Sequence, residues 1–290
     1  MNFNKLLDLT DRNAVQSFFR HKTPEYVFLA AARVGGILAN DTYPADFIRE
    51  NLEIQTNVIE ASYRSGVQRL LFLGSSCIYP RLAPQPIKEE YLLTGPLEPT
   101  NRAYALAKIA GIEMCWSYHR QYGTNYLAAM PANVYGPGDN FDLATSHFLA
   151  ALMRKAVQAK LAGQRKIVVW GTGTPRRELL FSEDLADACI HLLTLPAHIY
   201  HSLLAGDSAP LVNVGTGEDV TTRELAELVT EIVECDCEIE FDVSRPDGMP
   251  RKVLDVSRIH ALGWKATTTL EQGIRWTYEA ARSQLAAGLT

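Results

Sequence analysis

Residues 69–76 read RLLFLGSS: an apolar run, a glycine and two serines. A short continuous apolar run that ends in a turn is the pattern of a strand buried on both faces, since a strand covered on one face alternates apolar with polar residues. The same form recurs at EYVFLAA (25–31) and NYLAAMPANVYG (125–136). Between these runs lie PADFIRENLEIQTNVIEASYRSG (44–66) and NRAYALAKIAGIEMCWSYHRQYG (101–123), each of helical period and each ending in glycine, the usual helix stop. Strand, helix, strand, helix, strand predicts a doubly wound parallel sheet with right-handed crossovers. Ligands of such sheets bind beyond the carboxyl ends of the strands, so Ser75, Ser76 and Asn133 fall where chemistry is expected.

After about Phe141 the rhythm changes to longer helices, short strands and turn clusters. Helical spacing over 146–158 precedes KIVVWGTGTPRREL, which reads as a strand, a glycine turn and a second strand. LVNVGTGEDVTTRELAELVTEIV then gives a strand and a capped helix, with Thr221 or Thr222 as cap and Glu224 in the first turn. The expected division is a dinucleotide-binding domain over 1–142, joined by part of 174–196, and a smaller α/β substrate lobe over 143–290. The helix of 183–194 is expected to return to the large sheet.

Composition narrows the partners. The 290 residues are 47% hydrophobic and 21% charged with a formal net charge of -5, so no basic footprint for nucleic acid or anionic membrane is present. No segment approaches a spanning length of apolar residues, and the N-terminus lacks the order of a signal peptide. Of five cysteines, Cys77, Cys115 and Cys189 stand alone, while Cys235 and Cys237 are separated by one residue with no matching ligand pair. Reduced thiols in a cytoplasm and no metal site are expected.

Tyr104 and Lys108 stand four apart in YALAK, on one helix face. An ammonium near a phenol favours the phenolate, so the spacing predicts a tyrosine whose pKa is drawn down into the working range. The pair follows a strand ending in GSS, at a separation that lets Ser75 and Tyr104 share one ligand oxygen. Ser75, Tyr104 and Lys108 together resemble the serine, tyrosine and lysine of the extended short-chain dehydrogenase/reductase family.

Longer strings narrow the likeness. AAARVGGILANDTYPADFI, FLGSSCIYP, LEPTNRAYALAKIAG, NVYGPGDNF, VVWGTGTPRREL and RPDGMPRKVLDV resemble the GDP-L-fucose synthases within that family, from about Leu9 to the last helix. The resemblance implies NADPH-dependent epimerisation of C3 and C5 of GDP-4-keto-6-deoxy-D-mannose and reduction of its C4 ketone. A 4-ketone acidifies both neighbouring C–H bonds, so epimerisation needs one group to remove a proton and another to return it on the opposite face. By resemblance Cys77 is the base, His147 the acid, Tyr104 the donor to the C4 oxygen, Ser75 its hydrogen-bonding partner and Lys108 the ligand of the nicotinamide ribose. It also implies that Asp8, Leu9, Leu73, Gly74, Ser76, Pro131, Ala132, Asn133, Val134 and His147 line NADP. Lys155, Trp170, Arg177, Asp247 and Lys252 are implied to meet the GDP-sugar, which calls for cations and an aromatic face; the family's bacterial enzymes carry arginine where Lys155 stands. A homodimer through the helices beginning near Pro44 and Asn101 is expected, since both carry more apolar positions than one sheet-facing stripe requires.

The opening residues depart from the pattern. Extended reductases bind NADP through a first strand, a G-x-x-G-x-x-G turn and a helix amino end, yet the first glycine here is Gly35, in the later VGG loop. By the resemblance about thirty family residues have no counterpart, so the expected fold is a Rossmann-type sheet truncated at its amino end. EYVFLAA is then expected to show an unpaired apolar edge, and the chain to bind GDP measurably and NADPH poorly. Two readings stand: the epimerase/reductase, or a close GDP-sugar enzyme of colitose type, against a cofactor-deficient subunit that binds GDP-sugar or dimerises.

Overall fold

The computed structural model describes residues 7–143, 145–245 and 247–286; Met1 to Leu6 of the opening and Pro246 of the RPDGMP string lie outside them. The chain forms two compact units, each built from separate stretches: Met1–Pro80, Glu89–Pro131 and Asp187–Val214 in the first, Arg81–Lys88, Ala132–Ala186 and Gly215–Thr290 in the second.

The first unit opens with α1 (Arg12–Lys22), β1 (Tyr26–Leu29), α2 (Ile37–Thr42), α3 (Pro44–Arg64) and β2 (Arg69–Leu73). It continues with α4 (Arg102–Tyr122) and β3 (Tyr126–Pro131). The Asp11 carboxylate caps α1 by accepting from the N–H of Asn13 and Ala14. Pro44 begins α3, where its missing N–H costs nothing, and Gly123 ends α4 at φ 69°. α3 lies along α4, where a Cβ on Gly111 would strike the Phe72 ring and approach Gln55 Oε1 to 2.8 Å.

All three apolar runs are parallel strands, and every residue of β3 is buried, as its unbroken apolar run requires. The strand order is β1-β2-β3-β8, with Leu70 opposite Val27 and Leu127 opposite Leu71. β1 stands at one end of this sheet, with Tyr26 and Phe28 exposed. The fourth strand, Leu211–Val214, corrects its expected place in the second lobe: it pairs in parallel with β3. Three apolar residues and an asparagine state that a strand is buried but not beside which neighbour.

The second unit contains β4 (Asn133–Tyr135), α5 (Phe148–Leu161), β5 (Lys166–Trp170), β6 (Arg176–Arg177) and β7 (Leu179–Phe181). α6 (Ser182–Thr194) begins there, and its residues from Asp187 onward, with α7 (Ala197–Leu204) and β8 (Leu211–Val214), belong to the first unit. Then follow β9 (Val220–Thr221), α8 (Thr222–Val233), β10 (Glu238–Asp242), β11 (Arg251–Lys252), α9 (Ser257–Ala261) and α10 (Leu270–Ala286). Thr221, one of the two expected caps, closes a capping box with Glu224. Met153, Ala156, Val229 and Ile274 meet in a core between α5, α8 and α10.

One expectation for the cysteines is overturned. Cys235 and Cys237 are joined in a disulfide, because the turn between α8 and β10 sets their Cα atoms 5.4 Å apart. Cys77, Cys115 and Cys189 are in no disulfide among the described residues, and the last two are buried.

Candidate active site

In the first unit the chemistry gathers where β2 ends and α4 begins. Ser75 has extended backbone and starts a single helical turn, Ser76–Ile78, its Oγ accepting the N–H of Cys77 at 3.3 Å. Gly74 before it leaves room for the end of the Met130 side chain, which a Cβ there would displace. Ser75 also hydrogen-bonds Tyr104, so serine and tyrosine converge as their spacing predicts. Asn101, just before α4, donates from Nδ2 to Cys77 Sγ at 3.2 Å.

Lys108 is 3% exposed and donates from Nζ to the Leu73 carbonyl at 2.7 Å. Its ammonium lies 4.8 Å from the Phe72 ring centroid and 5.8 Å from that of Tyr104. Burial lowers its pKa to about 8. The phenol of Tyr104 corrects the expected shift: burial, then the Cys77 sulfur, raise its pKa, opposed by the Ser75 bond. Lys108 is turned to a backbone carbonyl, so desolvation decides and the phenol stays protonated, the form a proton donor requires.

An ammonium carries three N–H groups, and Lys108 directs one at the Leu73 carbonyl, so the others could hold a hydroxyl of a bound cofactor. The loop after β1 is fixed by buried Asn51, which accepts from Arg33 N–H and donates to its carbonyl, each at 3.0 Å. Asp8 is engaged locally, its carboxylate accepting from Thr10 N–H at 2.8 Å and Oγ1 at 2.7 Å, while the Leu9 carbonyl accepts from Asn57. Pro131 ends β3 and the second of the three stretches that build this unit.

In the second unit Ala132 and β4 carry the residues expected at the nicotinamide, and Asn133 Nδ2 donates to the Glu178 carbonyl at 2.9 Å. Val134 pairs with Leu180. His147 is exposed at the amino end of α5, and burial holds the nearby Asp139 carboxyl above the usual carboxylate range.

The five residues expected at the GDP-sugar all lie in this unit. The Lys155 ammonium is 5.8 Å from the Trp170 ring centroid and the Arg245 guanidinium 4.9 Å, so an exposed indole is flanked by two cations. The Arg177 guanidinium donates to the Asp247 carbonyl at 3.4 Å, and Lys252 pairs with Arg177 between β6 and β11. The Asp247 carboxylate is engaged with Thr172 N–H at 2.6 Å and Oγ1 at 2.9 Å.

Three contributors were not singled out from the sequence. Arg245 had only its neighbour Asp247 to recommend it, and Asn101 reads as an ordinary helix cap. Glu178 is 1% exposed and accepts from Gly217 N–H at 2.8 Å and Leu254 N–H at 2.7 Å, binding together the loops that flank Arg177 and Lys252. Its signal was a carboxylate set between two arginines and an apolar run, in RRELLF. Burial raises its pKa to about 7.

Residues 3–206 match the NAD dependent epimerase/dehydratase family. The chain belongs to that family. It is 53% identical over 273 residues to GDP-L-fucose synthase 1 of Arabidopsis thaliana, covering 94% of this chain and 81% of that one. It is 50% identical over 276 residues to the GDP-L-fucose synthase of Escherichia coli K12, covering 94% and 85%. A GDP-mannoheptose C4 reductase from Campylobacter jejuni, solved with NADP bound, superposes with a TM-score of 0.86 at 40% identity, covering 95% of this chain and 87% of that one. Among the described residues no helix is long and apolar enough to cross a membrane, and no three acidic, histidine or cysteine side chains gather to hold a metal.

Proposed function

We propose that this chain epimerises C3 and C5 of GDP-4-keto-6-deoxy-D-mannose and reduces its C4 ketone, giving GDP-L-fucose, with NADPH as cofactor. The observation that carries the reading is the meeting of Ser75, Cys77, Tyr104 and Lys108 in one compact unit. A plain reductase has work for the serine, tyrosine and lysine; the thiol beside them is the group that epimerisation adds. Relatives at 50–53% identity that carry the synthase name support the same substrate.

Cys77 Sγ removes the proton from each carbon beside the ketone, and His147 returns one on the opposite face. Tyr104 then gives its proton to the C4 oxygen, with the Ser75 hydroxyl directed at the same atom. Bound NADPH supplies the hydride. Lys108 holds its ribose, and Asp8, Leu9, Leu73, Gly74, Ser76 and the 131–134 segment form its bed. The paired cations about Trp170, with Arg177, Asp247 and Lys252, take the GDP moiety. The working form is a homodimer in the cytoplasm.

The test is turnover in deuterated buffer. GDP-4-keto-6-deoxy-D-mannose and NADPH, the latter raised until the rate saturates to offset the weak binding expected of this chain, should give a reduced product labelled at C3 and C5, one NADPH consumed per product. Product with unlabelled carbons would leave a simple reductase, and neither label nor NADPH oxidation would refute the reading.

A further inference from the structure

Asparagine before a helix ordinarily turns its Oδ1 back onto the backbone N–H groups of the first turn, where it caps the helix. Asn101 occupies that place before α4 and makes no such bond. Its Nδ2 points instead to Cys77 Sγ at 3.2 Å, and its Oδ1 is buried without a hydrogen-bond partner among the described residues. An orphan acceptor is costly, and it stands here beside a thiol in a reactive cluster. The short turn Pro99–Asn101, closed by Asn101 N–H on the Glu98 carbonyl at 3.4 Å, holds the side chain in place. Tyr104, three residues on, is the titratable group whose charge couples to the same sulfur.

We propose that Asn101 is a positioning residue for Cys77 and that its vacant Oδ1 accepts a hydroxyl hydrogen of the keto-sugar. The proposal rests on reading Cys77 as the group that removes the sugar proton. An amide N–H bonds a thiolate more strongly than a thiol, so it steadies the sulfur in the form that attacks hydrogen. The other edge of the same amide then sets a substrate hydroxyl at a fixed distance from that sulfur.

The test has two arms on the full chain, with Asn101→Ala and Asn101→Asp, both checked for wild-type melting. Iodoacetamide labelling of Cys77, followed by peptide mass, needs neither substrate nor turnover, and the thiols of Cys115 and Cys189 are buried. Its rate at neutral pH should fall about tenfold in both variants, since both lose the donor. The dissociation constant of GDP-4-keto-6-deoxy-D-mannose should rise about tenfold in Asn101→Ala and stay near wild type in Asn101→Asp, which keeps the acceptor, while that of GDP moves in neither. Wild-type labelling rates in both folded variants would overturn the positioning role, and unchanged sugar binding in Asn101→Ala would overturn the acceptor role. Slowed labelling in the variants beside a wild type that exchanges no deuterium would support the Asn101–Cys77 pairing and count against the epimerase reading alone.

Discussion

Lys108 Nζ donates to the carbonyl oxygen of Leu73, tying a buried ammonium on α4 to the last residue of β2. Burial sets its pKa at about 8 against an ordinary 10.5, so between those values the unfolded chain binds more protons than the native one. Stability contributed at this site therefore rises with pH across that window. Relative to Lys108→Met, the wild type should gain on the order of 3 kcal/mol of unfolding free energy between pH 8 and 10.5. Urea titrations of both proteins at the two ends of the window measure it; a flat difference would refute the assignment.

Tyr104→Phe removes the proton donor and leaves Cys77 in place. Reduction should fall by about 10²-fold or more while deuterium still enters C3 or C5. Cys77→Ser should do the reverse, slowing exchange far more than reduction of a preformed epimerised ketone. Proton NMR of the sugar alongside NADPH absorbance separates the steps, and loss of both in Tyr104→Phe would contradict this division of labour.

Glu178 presents two carboxylate oxygens to backbone N–H donors, which glutamine cannot match because one oxygen becomes an NH₂. Glu178→Gln should destabilise the fold by about 1–3 kcal/mol. The native pKa of about 7 lies above the ordinary 4.5, so its pH-linked stability is full below 4.5 and is lost as pH rises through about 7. That slope should be present in the wild type and absent from the variant in thermal melts across the interval.

Gly111→Ala tests the contact between α3 and α4. Alanine gains about 1 kcal/mol in helix propensity, but its Cβ would overlap the Phe72 ring and press Gln55 Oε1, which overpacking makes worth about 1–3 kcal/mol in the opposite direction. A lower melting temperature is expected. A higher one would mean that Phe72 gives way freely.

Leu106 and Tyr63, on α4 and α3, are exposed apolar positions beyond those that face the sheet. Sedimentation at micromolar concentration should return about twice the chain mass of 32.2 kDa. Leu106→Glu should return the single-chain mass with an unchanged circular dichroism spectrum.

Strands buried on both faces were legible because nothing but an unbroken apolar run fits them: RLLFL became β2 and YLAAMP became β3. The helices were legible from period and glycine stop. Ser75, Tyr104 and Lys108 were found because spacing on one strand and one helix dictates their meeting. The direction of the Tyr104 shift was not, since it depends on how deeply the hydroxyl is desolvated and on where the ammonium points. Glu178 and Asn101 escaped for the same reason: their partners are backbone groups and a sulfur brought in from distant stretches.

β8 has a consequence for how the protein is made. It occupies the place beside β3, yet 79 residues, 132–210, separate the two strands in the chain. A polypeptide leaving the ribosome presents β1, β2 and β3 early but cannot complete the four-stranded sheet until Leu211–Val214 has emerged. Throughout that interval the flank of β3 must be shielded by something other than its eventual neighbour. Synthesis pauses placed before and after codon 214 should therefore differ sharply in protease resistance of the nascent first unit, with the gain confined to the later pause.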